Sequence, residues 1–361
     1  MMRRPVLPAL VATVTVATAL VTVGAAGAED QAVGAQDQAA GAQDQAAGAQ
    51  GQPVPRRASA APAPCVPGGS YGDPLPSASV AAARVPGRFT FLEGPVWIAD
   101  QGRLLLSDMR AATGSEGVQP SAIRTLTPPD RFDVFVADSG SNGLALSVDG
   151  TRVLAATHDQ RSLSSYGLAD GGRDTVAQAF AGRRFNSPND LTVRADGTVY
   201  FTDPSFQRGN RPDEMAGRTG VFRVSGDDVF LVDDTVSQPN GVVLSPDGNT
   251  LYVGGNSAGK IYKYEVLADG TTGPRTEFAN LSGPDGATID CAGNLYWASY
   301  SDGRVHVFAP DGRALGTVSA GTNTTNAAFG GADGRTLFIT SGTWGDFGVY
   351  QIRLNVPGWP Y

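Results

Sequence analysis

The chain has 361 residues, of which 47 are Gly and 24 are Pro; 41% are hydrophobic and only 17% charged. A Gly and Pro load of this kind favours turn-rich β structure over helices, in one large domain or two ordinary ones. The net charge of −8, with no basic block beyond the N-terminus, argues against a nucleic-acid partner, because phosphate binding needs clustered Lys and Arg.

Residues 1–28 read as a secretory signal. Arg3 and Arg4 form a basic start, Val6 to Val23 is apolar, and Ala26-Gly27-Ala28 suits signal peptidase. No Cys follows the apolar run, so neither a lipid anchor nor a membrane span is expected after cleavage, and the chain is expected outside the cell. Residues 29–64 repeat "AGAQDQA" and then turn Pro-rich. Such a composition buries too little apolar surface to offset its ordering entropy and reads as a disordered linker. The folded domain is then 65–361. Its thiols are Cys65 and Cys291. An even count in an exported chain suggests a bridge that would staple the N-terminal segment to the body; two free thiols are the alternative.

From about residue 78 to 355 a single plan recurs. Turns centred on Gly102, Gly150, Gly197, Gly248, Gly293 and Gly334 lie 48, 47, 51, 45 and 41 residues apart. Each is followed by an alternating apolar run, such as "RLLLSDM", "TVYFTDP" or "NLYWASY". Each is preceded, eight or nine residues earlier, by a small polar signature: Glu93, Asn142, Asn189, Asn240, Asp285 and Asn326. Six units of this length, each with room for about four short strands, describe an all-β, six-bladed propeller.

The innermost strand of each blade in such a fold runs along the central channel, so the six signatures gather at one mouth. The strand ends after the turns, including Asp108, His158 and Asp203, return to the same face. An all-oxygen set with two carboxylates and several amides, without His or Cys, argues against zinc or copper and suits a hard cation, Ca2+ first; Mn2+, Mg2+ and the less suited Zn2+ are the alternatives. A single Asn or Asp here would be explained by turn chemistry alone. Six in register on one axis point to a metal site in the channel.

The segments "FLEGPVWIADQGRLLLSDM", "NSPNDLTVRADGTVYFTDP", "QPNGVVLSPDGNTLYVGG", "GPDGATIDCAGNLYWAS" and "TNAAFGGADGRTLFITSG" resemble the blade signatures of the regucalcin–gluconolactonase family of calcium-dependent lactonases. The closing "YQIRLNVPG" is similar to bacterial gluconolactonases in particular. The resemblance runs from about Phe89 to Gly358. It implies Glu93, Asn189, Asn240 and Asp285 as metal ligands, and Asp285 also as the base acting on water. Asn142, His158, Asp108, Asp203 and Asn326 are then candidates for contacting the substrate. The chain departs from some members at Ser187, where they carry an arginine that grips sugar hydroxyls.

These readings lead to a secreted, monomeric, metal-dependent hydrolase that opens a gluconolactone-like sugar lactone to its hydroxy acid. The alternative is a non-catalytic propeller that binds a ligand or partner and keeps calcium for stability. Serine-hydrolase and phosphate-loop readings fail on context. Ser70 of "GGSYG" lies in a Pro-rich leader and Ser257 of "GNSAG" in a hairpin, whereas a nucleophile elbow needs a strand-to-helix turn. "GGNSAGK" is followed by Ile261 where a phosphate loop needs Ser or Thr. His306, in "GRVHVFAPDG", is an ordinary strand residue.

Overall fold

The computed structural model describes Cys65 and residues 69–360; the expected signal (1–28) and linker (29–64) lie outside the described residues. Among the described residues six blade sheets follow one another along the chain, with a small hairpin of Ala179–Phe180 and Arg183–Arg184 between the second and third. Blade 1 comprises Leu92–Ile98, Arg103–Met109, Ser121–Thr127 and Arg131–Val136. Blade 2 comprises Ser141–Leu146, Arg152–Thr157, Ser162–Gly167 and Arg173–Ala177. Blade 3 uses Leu191–Val193, Val199–Asp203, Gly220–Ser225 and Asp228–Asp233, and blade 4 Pro239–Leu244, Thr250–Gly255, Lys260–Glu265 and Thr276–Asn280. Blade 5 has Pro284–Ile289, Leu295–Ser299, Arg304–Phe308 and Ala314–Ser319.

Blade 6 has only three strands of its own, Asn323–Gly330, Thr336–Gly342 and Gly348–Arg353. Its fourth is Ala83–Arg84, from the start of the domain, paired antiparallel with Gly348–Arg353. Just before it, Ser79–Ala81 adds a parallel fifth strand to blade 5. The N-terminal segment thus ties the last two blades and closes the ring, which covers edges that would otherwise be open to pairing.

All six hairpin turns between the first and second strands follow one design. The glycine amide donates to the carbonyl three residues back, from Gly102 to Ala99 at 3.1 Å through Gly334 to Gly331 at 3.1 Å. The glycines at 102, 150, 197, 248, 293 and 334 have φ between 58° and 91°, a left-handed region that any side chain would strain. The strands between them alternate, and their buried residues form six apolar clusters, one per blade interface. Leu154, Leu163, Phe185, Phe201 and Phe222, for example, fill the space between blades 2 and 3. Burying each Phe in full contributes about 1.5–3 kcal/mol relative to leaving it exposed.

Candidate functional site

The first strand of each blade starts at one face and runs down the axis to its turn. At that start, the register of strand pairing slips in five blades: at Glu93, just after Ser141, just after Pro239, just after Pro284 and at Asn326. Such bulges interrupt the ladder and re-aim a side chain. They fall on or beside Glu93, Asn142, Asn240, Asp285 and Asn326, all of them buried.

The residue after the bulged one is usually Gly, for a steric reason. A Cβ on Gly94 would stand 2.2 Å from the Asn142 carbonyl, and one on Gly241 would stand 2.0 Å from the Asp285 carbonyl. One on Gly286 would meet the Asn326 amide carbon at 2.0 Å. Neighbouring inner strands therefore touch backbone to backbone around the axis. Blade 3 departs from the pattern, with Asp190 where four blades have Gly and blade 6 has Ala327. Its carboxylate accepts from the Leu191 amide at 2.9 Å and is also bonded by the Val242 amide and the Asn326 side chain. Asn326, on the far side of the ring, also donates to Glu93 Oε2 at 3.5 Å.

Three carboxylates, Glu93, Asp190 and Asp285, thus face the axis, exposed by only 4%, 7% and 6%. Burial, then the Asp190 charge, pushes Glu93 up to about 8, against the pull of the Gly94 amide and Asn326. Burial raises Asp190 to about 7. Asp285 is pushed well above the usual carboxylate range by burial and by the charges of Glu93 and Asp190, while the Asn240 side chain bonds it and pulls the other way. Without a countercharge such a cluster holds protons near neutrality, since three bare charges in one dry site are costly.

Asn142 and Asn189 share the level of this cluster, and the Gly143 amide donates to the Asn189 carbonyl at 2.7 Å. The Asn142 amide nitrogen has no hydrogen-bond partner. Asp108, His158 and Asp203 stand apart from the cluster. Asp108 is paired with Arg124 at 3.0 Å and accepts from the Thr90 amide. His158 bonds the Gln119 carbonyl through Nε2 at 2.8 Å, its Nδ1 is unpartnered, and burial pulls its pKa down. Asp203 accepts from the Asn186 and Ser187 amides at 2.7 and 2.8 Å, which shapes the loop that delivers Asn189. Ser187 is buried and donates to the Pro204 carbonyl at 2.7 Å.

Two loops cover one side of this mouth. Residues 110–120 and 204–219 meet where Asn210 donates to the Glu116 and Ser115 carbonyls, at 2.7 and 3.1 Å. Arg211 anchors the second loop to the carbonyls of His158 and Asp159.

Residues 91–343 match the model of the SMP-30/gluconolactonase/LRE-like region. The chain belongs to this family. A gluconolactonase of Zymomonas mobilis is 35% identical over 293 residues, covering 74% of this chain and 79% of the relative. Among solved structures, a gluconolactonase from Xanthomonas campestris superposes with a TM-score of 0.64 at 27% identity, over 80% of this chain and 99% of that one. A calcium-binding protein, regucalcin, from Agrobacterium tumefaciens gives 0.62 at 20% identity, over 79% and 100%, which supports the six-bladed fold.

The residue that sequence reasoning missed is Asp190. Its signal was present: the position after the polar signature is Gly in four blades, and in blade 3 alone it carries a charge.

Proposed function

We propose that the chain is a lactonase that hydrolyses sugar lactones at the mouth of the channel. The observation that carries this reading is the convergence of Glu93, Asp190 and Asp285 on one axis, in a chain 35% identical to a gluconolactonase over most of both lengths. Among the described residues no three His, Cys, Asp or Glu side chains are grouped tightly enough to hold an ion alone. A cation would therefore also need amide oxygens, and the chemistry of the donor set suits one. Carboxylates of Glu93 and Asp285 with amides of Asn189 and Asn240 are hard oxygen donors of the kind Ca2+ takes. Burial first, and then neighbouring acid charge, raise both acids, so a bound cation would favour their ionised forms.

When bound, a divalent cation supplies charge that stabilises oxyanion character on the lactone carbonyl. The remaining work falls to the chain. Asp285 takes the proton from the attacking water, and burial raises its proton affinity above that of an ordinary carboxylate, which favours that role. Asp190, raised to about 7, stands beside it as a second proton acceptor. Asn326 bonds both Glu93 and Asp190 and holds their spacing. Asn142, with its free N–H, is placed to donate to a lactone hydroxyl or carbonyl.

We further propose that the chain is exported. The N-terminal signature supports this, as does the disulfide joining Cys65 to Cys291 across 226 residues, since such bonds persist in oxidising compartments. Among the described residues no helix is long and apolar enough to cross a membrane.

The decisive test is hydrolysis of aldonolactones and simple γ- and δ-lactones by metal-stripped protein, titrated back with Ca2+, Zn2+, Mn2+ and Mg2+. Turnover restored by a divalent cation supports the reading. A cation that raises the melting temperature with no turnover on any lactone would leave a calcium-stabilised binding propeller instead.

A further inference from the structure

We propose that exposed aromatic side chains on the rim of the mouth form a stacking platform for a pyranose ring attached to the lactone, so that the preferred substrate is an aldonolactone carrying a glycosyl substituent. This rests on the lactonase reading and specifies its substrate.

Phe206, Tyr300 and Trp344 each follow the second strand of their blade, in blades 3, 5 and 6, and are exposed by 43%, 39% and 52%. All three therefore lie on the mouth face, and each is tied to the approach to a site residue. The Gly345 amide, next to Trp344, donates to the Thr90 carbonyl at 2.9 Å, and the Trp344 ring lies 5.6 Å from that of Phe91, two residues before Glu93. The Tyr300 amide donates to the Gly283 carbonyl at 3.1 Å, two residues before Asp285. The Gln207 amide, next to Phe206, donates to Ser187 Oγ at 3.2 Å, two residues before Asn189.

Single exposed apolar residues need no explanation, but three aromatics within three residues of the end of the same strand, in equivalent loops around one opening, do. Phe230, exposed by 41%, has another role: it lies on an outer strand with the Arg223 guanidinium 4.4 Å above it. Blades 5 and 6 are neighbours, so Tyr300 and Trp344 flank one side of the mouth, and Phe206 stands across the ring. Trp344 is also held in place: Phe91 beneath it packs at 4.6 Å on the fully buried Phe347. A flat apolar face already fixed in position costs little entropy to use.

The occupant follows from charge and depth. The three axial carboxylates are buried, so the reacting ring must reach the axis, and a second ring attached to it lies outward at the rim. The acidic cluster disfavours an anionic substituent. A neutral pyranose offers an apolar C–H face to an aromatic ring and keeps its hydroxyls toward water.

The test compares kcat and KM for glucono-1,5-lactone, its 4-O-glucosyl derivative and an alkyl-substituted γ-lactone, on the full chain with Ca2+ and on Trp344→Ala, Trp344→Phe and Tyr300→Ala. The expected result is a kcat/KM about tenfold higher for the glucosylated lactone, expressed in KM. Trp344→Ala should remove most of that ratio and Trp344→Phe should keep most of it. Titration with the glucosylated aldonate should shift tryptophan fluorescence, and Trp344→Ala should abolish the shift. Equal ratios in the unsubstituted chain, a ratio that Trp344→Ala leaves intact, or an alkyl preference lost in Trp344→Ala would each overturn the platform while the lactonase reading stands. Saturable binding of the glucosylated aldonate with no turnover of any lactone would keep the platform and sink only the lactonase reading. Neither binding nor turnover would sink both.

Discussion

At the mouth, three of the six inner strands bring in Glu93, Asp190 and Asp285, buried acids whose pKa values burial raises, with neighbouring acid charge raising Glu93 and Asp285 further. From the level of Asp190 and Asn326 down the axis, the same strands line a cavity of about 140 Å3 whose walls become apolar below, with Val96, Leu144, Val242, Phe329 and Trp359. The C-terminal segment is held at this lower end. Gly358 donates to the Gly334 carbonyl at 2.8 Å, Trp359 to Ile289 at 3.0 Å, and the Pro357 carbonyl accepts from Cys291, which is bonded to Cys65. The mouth end of the inner strands thus holds three buried acids among amides, and the lower end buries apolar surface. A fold that gives up stability at one place for chemistry recovers it where no chemistry occurs. The contrast predicts that substitutions at the mouth change activity and leave or raise stability, whereas those at the base do the reverse.

The largest effect is expected at Asp285. Asp285→Asn keeps the shape and removes the base, and should lower kcat by about 10²–10⁴-fold. Steady-state rates on a hydrolysed lactone check this, and full activity would end its assignment as base. Next comes the sign of the pH dependence. Ordinary carboxylates titrate near pH 4, whereas Glu93 is raised to about 8 and Asp190 to about 7. Between those limits the metal-free folded chain holds more protons than the unfolded one, so its stability should fall as pH rises from about 4 to 8. Calorimetry should show that slope flattened in Glu93→Gln and offset by added Ca2+; a metal-free melting temperature that rises over this range would contradict the buried-acid account.

At the base, Cys65→Ser should cost about 2–4 kcal/mol of stability, seen as an earlier denaturation midpoint, with turnover per folded molecule kept. Gly358→Ala should also destabilise, by about 1–3 kcal/mol, because its Cβ would stand 2.0 Å from that of Phe329. If either substitution lowered kcat while leaving the midpoint in place, the division between the two ends would be wrong. The smallest effect is expected at Ser257→Ala, in the hairpin between Thr250–Gly255 and Lys260–Glu265, which should change neither rate nor midpoint. A dead enzyme there would revive a serine nucleophile.

Much of this architecture is written locally. The six turn glycines, their spacing and the polar signatures before them can all be read from the chain, because left-handed turn residues and alternation are short-range demands that each blade repeats. So can the level shared by Glu93, Asn142, Asn240, Asp285 and Asn326. What only the closed ring decides are contacts between residues far apart in sequence. Asn326 reaches both Glu93 and Asp190, and Ala83–Arg84 completes a blade whose other strands begin at Asn323. The loop at Asn210 meets the one at Glu116, and the C-terminal segment packs beside the bonded Cys291. Asp108, His158 and Asp203 share the mouth face in sequence logic, yet their partners are Arg124, Gln119 and the Asn186–Ser187 amides. The physical reason is that strand period and turn type set which face a side chain occupies. Its neighbours across the axis, and hence its charge state, follow from how six blades close on one another.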